Sequence, residues 1–113
     1  MNSETALPIF ESLSSPVRLD IYRLLVKTGP DGLVAGAIAD ALALPASNAS
    51  FHLKALAGSG LLAVEQEGRY LRYRARMGVM NQLIDFLTAE CCQGQPGLCG
   101  VAPATSCCES DPT

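Results

Sequence analysis

The chain has 113 residues, of which 49% are hydrophobic, and it carries 8 basic and 11 acidic side chains. This length and composition predict one domain with a packed core rather than a disordered chain. No apolar run approaches the roughly 18 residues that cross a bilayer, and the first residues lack the basic start and long apolar stretch of a secretory signal. We therefore expect a cytoplasmic protein with reduced cysteines and no membrane partner.

The charges are distributed unevenly along the chain. The net charge is −3, but residues 50–80 hold five basic and two acidic side chains and are locally +3. The segments before and after them have net charges of −2 and −4. Because phosphate contacts depend on local charge more than on total charge, the basic segment indicates a nucleic-acid partner.

Three helices are predicted in the first part of the chain. The first is short and amphipathic, with apolar residues at three-residue spacing. The second begins at Ser15-Pro16, a hydroxyl N-cap followed by proline at the first helical position, and stops at Thr28-Gly29-Pro30. The third is rich in alanine. The first and third cover residues 5–13 and 33–43, and the apolar stripe of the first is Leu7, Phe10 and Leu13.

A fourth helix is predicted after a break at Leu44-Pro45-Ala46. Ser47 is its expected N-cap, and the helix covers roughly residues 48–58. Its core face is predicted to be Ala49, Leu53 and Leu56, which recur at helical spacing. Small polar side chains open the opposite side of this helix, where they would face solvent.

From Leu61 onward the apolar period changes from 3.6 to 2 residues. The runs LLAVEQE and RYLRYRA flank Gly68 and predict a β-hairpin with its turn near Glu67-Gly68. A fifth helix follows, and its apolar face is Met77, Met80, Leu83, Ile84, Leu87 and Cys91. Residues 93–113 are rich in Gly and Pro and are predicted to be a flexible tail, so the folded domain would cover residues 1–92.

This order of elements is that of a winged helix-turn-helix: a mainly α fold with five helices and a small β-hairpin as the wing. Residues 44–56 (LPASNASFHLKAL) resemble the recognition-helix signature of the ArsR/SmtB family of metalloregulators, and residues 13–25 (LSSPVRLDIYRLL) resemble that family's second helix. The resemblance covers about residues 7–90. It implies a homodimeric repressor that leaves DNA when an inducer binds and that dimerises through its first and last helices.

Family members read bases with the outer side of the fourth helix, and the basic hairpin would contact the backbone. Two points stay open. His52, the single histidine, either contacts DNA or is a half-buried residue bonded to a backbone group, and Arg72 or Arg74 serves the wing depending on strand register. The predicted DNA-binding residues are Ser47, Asn48, Ser50, Phe51, His52, Lys54, Arg69 and Arg72.

All five cysteines follow residue 90, with the spacing C-C-x6-C-x7-C-C. The sequence has no C-x-x-C motif, and adjacent cysteines suit tetrahedral zinc poorly. Trivalent arsenic or antimony, which takes three sulfurs in a shallow pyramid, is a better match. We predict that Cys91, Cys92 and Cys99 bind As(III), or Sb(III), as the inducer. Whether Cys107 and Cys108 take part is left open.

The family resemblance supports an arsenic site at the C-terminal cysteines. Some arsenic-sensing family members carry C-terminal cysteines that include an adjacent pair followed by a third. The family's other sensor sites are missing here: the segment GLVAGAIADAL has no cysteine, and one histidine cannot supply a histidine-rich site on the last helix.

The sequence thus predicts an arsenite-responsive repressor that binds an inverted-repeat operator as a homodimer. It predicts no enzyme and no organic cofactor, because the chain shows no nucleophile–base pair and no glycine-rich phosphate loop. Three alternatives remain: a thiol-redox repressor of the same fold, a repressor that responds to methylarsenite, and a cytosolic arsenite carrier.

Overall fold

The computed structural model describes residues 1–89. Met1–Leu83 form one compact unit, and residues 84–89 belong to a second unit. The described elements are α1 Ser3–Ser12, α2 Pro16–Thr28, β1 Leu33–Val34, α3 Ala35–Ala41, α4 Ala46–Gly58, β2 Leu62–Glu67, β3 Tyr70–Ala75 and α5 Met77–Thr88. The predicted domain boundary at residue 92 and the tail 93–113 lie outside the described residues.

The second helix begins and ends where its sequence signals predict. The Ser15 hydroxyl accepts a hydrogen bond from the Arg18 backbone N–H, and Pro16 occupies the first helical position. The helix stops at Gly29, whose φ of 86° is accessible to glycine and unfavourable for other residues. Local capping chemistry is therefore sufficient to fix both ends of α2.

The predicted third helix is wrong at both ends. Leu33 and Val34 form strand β1, which pairs antiparallel with Tyr73 and Arg72 of β3. The helix covers only Ala35–Ala41. Hydrogen bonding to a strand about 40 residues away overrides the helical preference of this segment. The predicted hairpin is accordingly part of a three-stranded sheet with the order β1-β3-β2.

The predicted Ser47 cap is also wrong. Helix α4 begins at Ala46, its N-cap position is Pro45, and no side chain caps its first turn. The chain reverses just before, at Ala43, which adopts a φ of 54°. Ser47 therefore lies inside the first turn of α4, and its side chain is exposed.

The core lies between the helices and one face of the sheet. The predicted core residues of α4 are confirmed, since Ala49, Leu53 and Leu56 are at most 1% exposed. Each fully buried leucine contributes about 1.5–3 kcal/mol to stability. Burial also raises the pKa of the Tyr22 and Tyr73 phenols. Other fully buried side chains are Ile9, Ile21, Leu25, Ile38 and Leu61.

Strands β2 and β3 form the predicted hairpin, and these strands with their turn are called the wing below. Glu67 pairs with Tyr70, so Gly68 and Arg69 make a two-residue turn, with Gly68 at a φ of 62°. The register places Tyr73 on the core face of the sheet, where it is 4% exposed. Because side chains alternate along a strand, Arg72 and Arg74 share the opposite face.

Helix α5 covers Met77–Thr88, and Leu83 is its buried residue. The predicted stripe on this helix extends to Cys91, which lies outside the described residues. Among the described helices, none has the length and apolarity needed to cross a bilayer.

Candidate nucleic-acid interface

Helix α4 separates a buried face from a polar one. We call the exposed residues Ser47, Asn48, Ser50, Phe51 and Lys54 the outer face of α4. All of them were predicted to contact DNA. The helix contains no acidic side chain, so nothing on it repels a phosphate backbone. Phe51 is 63% exposed, and an aromatic ring in that position can contact a thymine methyl group.

The start of α4 adds backbone donors to this face. Its first turn has no side-chain cap, so its first N–H groups are left for a partner outside the helix. The helix dipole makes the same end favourable for anions. A phosphate or an acceptor on a base edge can therefore be bound together with the small polar side chains.

His52 is half-buried and bonded to a side chain of another helix. Its Nδ1 accepts a hydrogen bond from Nε of Arg18 at 3.2 Å. The expected alternative, a bond to a backbone group, is replaced by this contact with α2. Arg18 also lies over the Phe51 ring, with its guanidinium carbon 5.9 Å from the ring centroid. A direct contact between His52 and DNA stays a prediction.

The sequence did not predict that Arg18 lies at this interface. Arg18 precedes His52 by 34 positions and carries no motif of its own. The signal that could have found it is the placement of a cation in the first turn of α2, where the helix dipole disfavours positive charge.

The wing arginines differ in the number of hydrogen bonds and ion pairs that they make within the protein. Arg72 donates through Nε to the Glu67 carboxylate at 2.9 Å and through Nη1 to the backbone carbonyls of Asp31 and Gly32. Arg72 is therefore bound by groups of the domain itself and is partly neutralised. A contact between Arg72 and DNA stays a prediction, because these intramolecular bonds do not test it.

Arg74 is engaged in the same way. Its Nη1 lies 2.7 Å from Oε1 of Glu65, and its Nε donates to the carbonyl of Pro30 at 2.9 Å. Within residues 1–89, these two arginines form both of the ion pairs. Lys54 on α4 and Arg69 at the wing turn are exposed and unpaired in that part of the chain. They are thus the predicted cations most available to a phosphate.

The predicted arsenic site cannot be located in the structure. Cys91, Cys92 and Cys99, like Cys107 and Cys108, lie outside the described residues. Within residues 1–89, no group of three His, Cys, Asp or Glu side chains could hold a metal ion. The metalloid ligand set stays a prediction from the sequence.

A helix with a buried face and an exposed polar face, next to a basic wing, defines a winged helix-turn-helix domain. A protein-family model described as a helix-turn-helix domain matches residues 13–65. The search of curated proteins gave no match. The fold predicted from the sequence is confirmed.

Solved structures identify the kind of winged-helix protein that the chain is similar to. An ArsR-like transcriptional regulator from a Rhodococcus species is 26% identical, with a TM-score of 0.70 over 84% of this chain and 87% of that one. HlyU from Vibrio cholerae is 26% identical, with a TM-score of 0.64 over 81% and 97%. The chain therefore has the fold of ArsR-type transcriptional regulators, which are not enzymes.

A third solved structure adds an oligomeric state. It is a homodimeric winged helix-turn-helix DNA-binding domain from Mycobacterium bovis, a possible ArsR-family regulator determined by NMR. It is 24% identical, with a TM-score of 0.63 over 81% of this chain and 85% of that one. At this identity the likeness shows a shared fold.

Proposed function

We propose that the protein is a transcriptional repressor that binds double-stranded operator DNA through the outer face of α4 and the wing. The observation that carries this proposal is the exposed face of α4, which has polar side chains, a cation, no acid and an uncapped first turn. In a winged-helix fold such a helix enters the major groove, and the wing follows the neighbouring backbone. The compartment that we propose for this role is the cytoplasm.

Substitutions on the wing and on α4 should have different effects on DNA binding. Arg69→Ala should weaken binding equally for operator and random duplexes and reduce the salt dependence by about one unit of slope for each phosphate that the arginine neutralises. Asn48→Ala and Ser50→Ala should instead reduce the discrimination between the two duplexes, because base contacts carry the sequence information. Fluorescence anisotropy over a salt series measures both effects, with an operator selected from a randomised pool.

Lys27→Ala is the matched control, since it removes an exposed cation from α2 rather than from the wing or α4. It should bind like the wild type. Wild-type binding by Arg69→Ala, Asn48→Ala and Ser50→Ala alike would show that the DNA-binding face is assigned wrongly.

We also propose that the repressor is a homodimer, so that two α4 helices read an inverted repeat. This proposal is supported by the large apolar side chains that are exposed to solvent on α1 and α5. On α1, Leu7 is 63% and Phe10 is 43% exposed; on α5, Ile84 is 49% and Leu87 is 56% exposed.

Sedimentation at micromolar concentration should therefore give about twice the chain mass of 11.9 kDa. Leu7→Glu should shift the protein toward monomer, because it places a charge in the interface. Phe51→Glu is the matched control, since Phe51 is exposed to the same 63% but lies on α4; this variant should remain dimeric. A wild-type monomer at this concentration would contradict the proposal.

For the inducer, we propose As(III), with Sb(III) as a second ligand of the same chemistry, bound by Cys91, Cys92 and Cys99. The support is the clustering of the cysteines after residue 90 and the absence of zinc-type spacing. Metalloid binding can regulate DNA binding only if the two conformations of the dimer bind it with different affinities. Helix α5 precedes the first of these cysteines, and a shift in it would change the spacing between two recognition helices that must match one DNA turn.

A further inference from the structure

We propose that Arg18 is an additional phosphate-binding residue of the DNA interface and that His52 and Phe51 hold its guanidinium in place. The inference rests on the proposed DNA-binding function. It adds to that interface a cation from α2, an element outside both α4 and the wing.

The geometry ties Arg18 to α4 on two sides. Its Nε donates to Nδ1 of His52 at 3.2 Å, and its guanidinium lies over the exposed Phe51 ring at 5.9 Å. The two aromatic rings are themselves arranged edge to face, with centroids 5.4 Å apart. A long side chain fixed by both contacts loses less conformational freedom when it binds a ligand.

Because its hydrogen-bond partner is His52 and not a carboxylate, Arg18 keeps its positive charge for an external anion. Arg72 and Arg74 are oriented by glutamates, which partly neutralise them. His52 accepts through Nδ1, and an imidazole, unlike a carboxylate, brings no negative charge to the guanidinium. Arg18 is thus oriented without being neutralised. Four of its five N–H donors remain for a phosphate, which a guanidinium can bind in a bidentate manner.

Packing between α2 and α4 does not by itself account for this residue. Helices α2 and α4 already pack against each other, and Ile21, Leu25 and Leu53 on these helices are fully buried. Arg18 occupies the third position of α2, where a cation opposes the helix dipole. A half-buried arginine at an unfavourable helix end, beside the outer face of α4, is therefore better explained by an external anion.

The test uses a mixed-sequence duplex of about three helical turns, because a phosphate contact is independent of sequence. Arg18→Ala should lower affinity about fivefold per contact near 0.15 M salt and reduce the salt slope by about one unit per contact. Arg23→Ala is the matched control, since it removes an exposed arginine from the same helix; it should bind like the wild type. Thermal melting of each variant shows that the protein used is folded.

The role of His52 is tested by a double-mutant cycle with Arg18→Ala. His52→Leu should weaken duplex binding in the wild-type background and have no further effect in the Arg18→Ala background. His52→Asn should restore most of the affinity, because its amide oxygen can take the place of Nδ1. An additive loss in the double mutant would show that His52 acts on DNA directly and would overturn its positioning role.

Two further results separate this inference from the function on which it rests. If Arg18→Ala keeps the wild-type salt slope while Arg69→Ala reduces it by a unit, the Arg18 inference is wrong and the DNA-binding proposal stands. If the wild-type protein shows no salt-dependent binding to the duplex, the proposed function is wrong and the inference is overturned with it.

Discussion

Arsenite is expected to lower the affinity of the wild-type protein for its operator by about 5- to 150-fold, the usual range of allosteric coupling. Replacing Cys91, Cys92 or Cys99 with serine should abolish or strongly reduce this effect without weakening DNA binding in the absence of arsenite. The reason is chemical: trivalent arsenic binds thiolates, and a serine hydroxyl does not replace the missing sulfur. Because the ligands are thiolates, arsenite binding should release protons and weaken at low pH.

The measurement is a mobility shift on operator DNA with arsenite, antimonite, zinc and peroxide in parallel. Truncation after Gly100 is the matched control, because it removes Cys107 and Cys108 and should leave the arsenite response intact. If the truncated protein stays on DNA with arsenite while Cys99→Ser still leaves it, the site is built from the terminal pair instead.

The same experiment separates the alternatives to an arsenite repressor. Release by peroxide alone would identify a thiol-redox repressor. Release of Cys99→Ser by methylarsenite would identify a site that needs two sulfurs rather than three. An arsenite carrier would bind the metalloid without any effect on the operator.

Gly32→Ala is expected to lower the free energy of unfolding by about 2–5 kcal/mol. Gly32 is buried with a φ of 65°, and left-handed backbone costs an alanine about 1–2 kcal/mol. A Cβ at this position would also collide with the backbone carbonyl of Tyr73 and lie 2.7 Å from Cγ of Arg74. Such overpacking typically costs a further 1–3 kcal/mol or so.

Gly68→Ala is the matched control for the glycine prediction. Gly68 has nearly the same φ, 62°, but a Cβ there would meet no atom within 4 Å. It should therefore lose only the backbone contribution, about 1–2 kcal/mol. Urea denaturation measures both variants, and equal losses would show that the close approach of Gly32 to β3 is unimportant.

The residues of the candidate interface were predictable from the sequence where they lie on a single helix, α4. Helical spacing assigned Ala49, Leu53 and Leu56 to the core, and the structure confirms that they are buried. The exposed positions of the outer face of α4 then follow from the same period of 3.6 residues. The contact of Arg18 with His52 did not follow, because the period of one helix says nothing about which side chain of another helix will lie beside it.

By itself, the sequence determined the features that depend on neighbours a few residues away. The Ser15-Pro16 start, the Gly29 stop and the two-residue wing turn at Gly68 are each fixed by backbone chemistry within one turn. The spacing of the cysteines after residue 90 is also local, and the metalloid-binding site that it indicates stays a prediction.

Only the tertiary structure decided the features that join distant parts of the chain. Leu33 and Val34 became a strand because β3 offered a hydrogen-bonding edge, against the helical preference of their own neighbours. Arg72 reached the carbonyls of Asp31 and Gly32, 41 and 40 residues away, and Arg18 reached His52 across 34 residues. In each case the partner is brought close by core packing, so side chains with the same charge in the sequence acquire different roles in the fold.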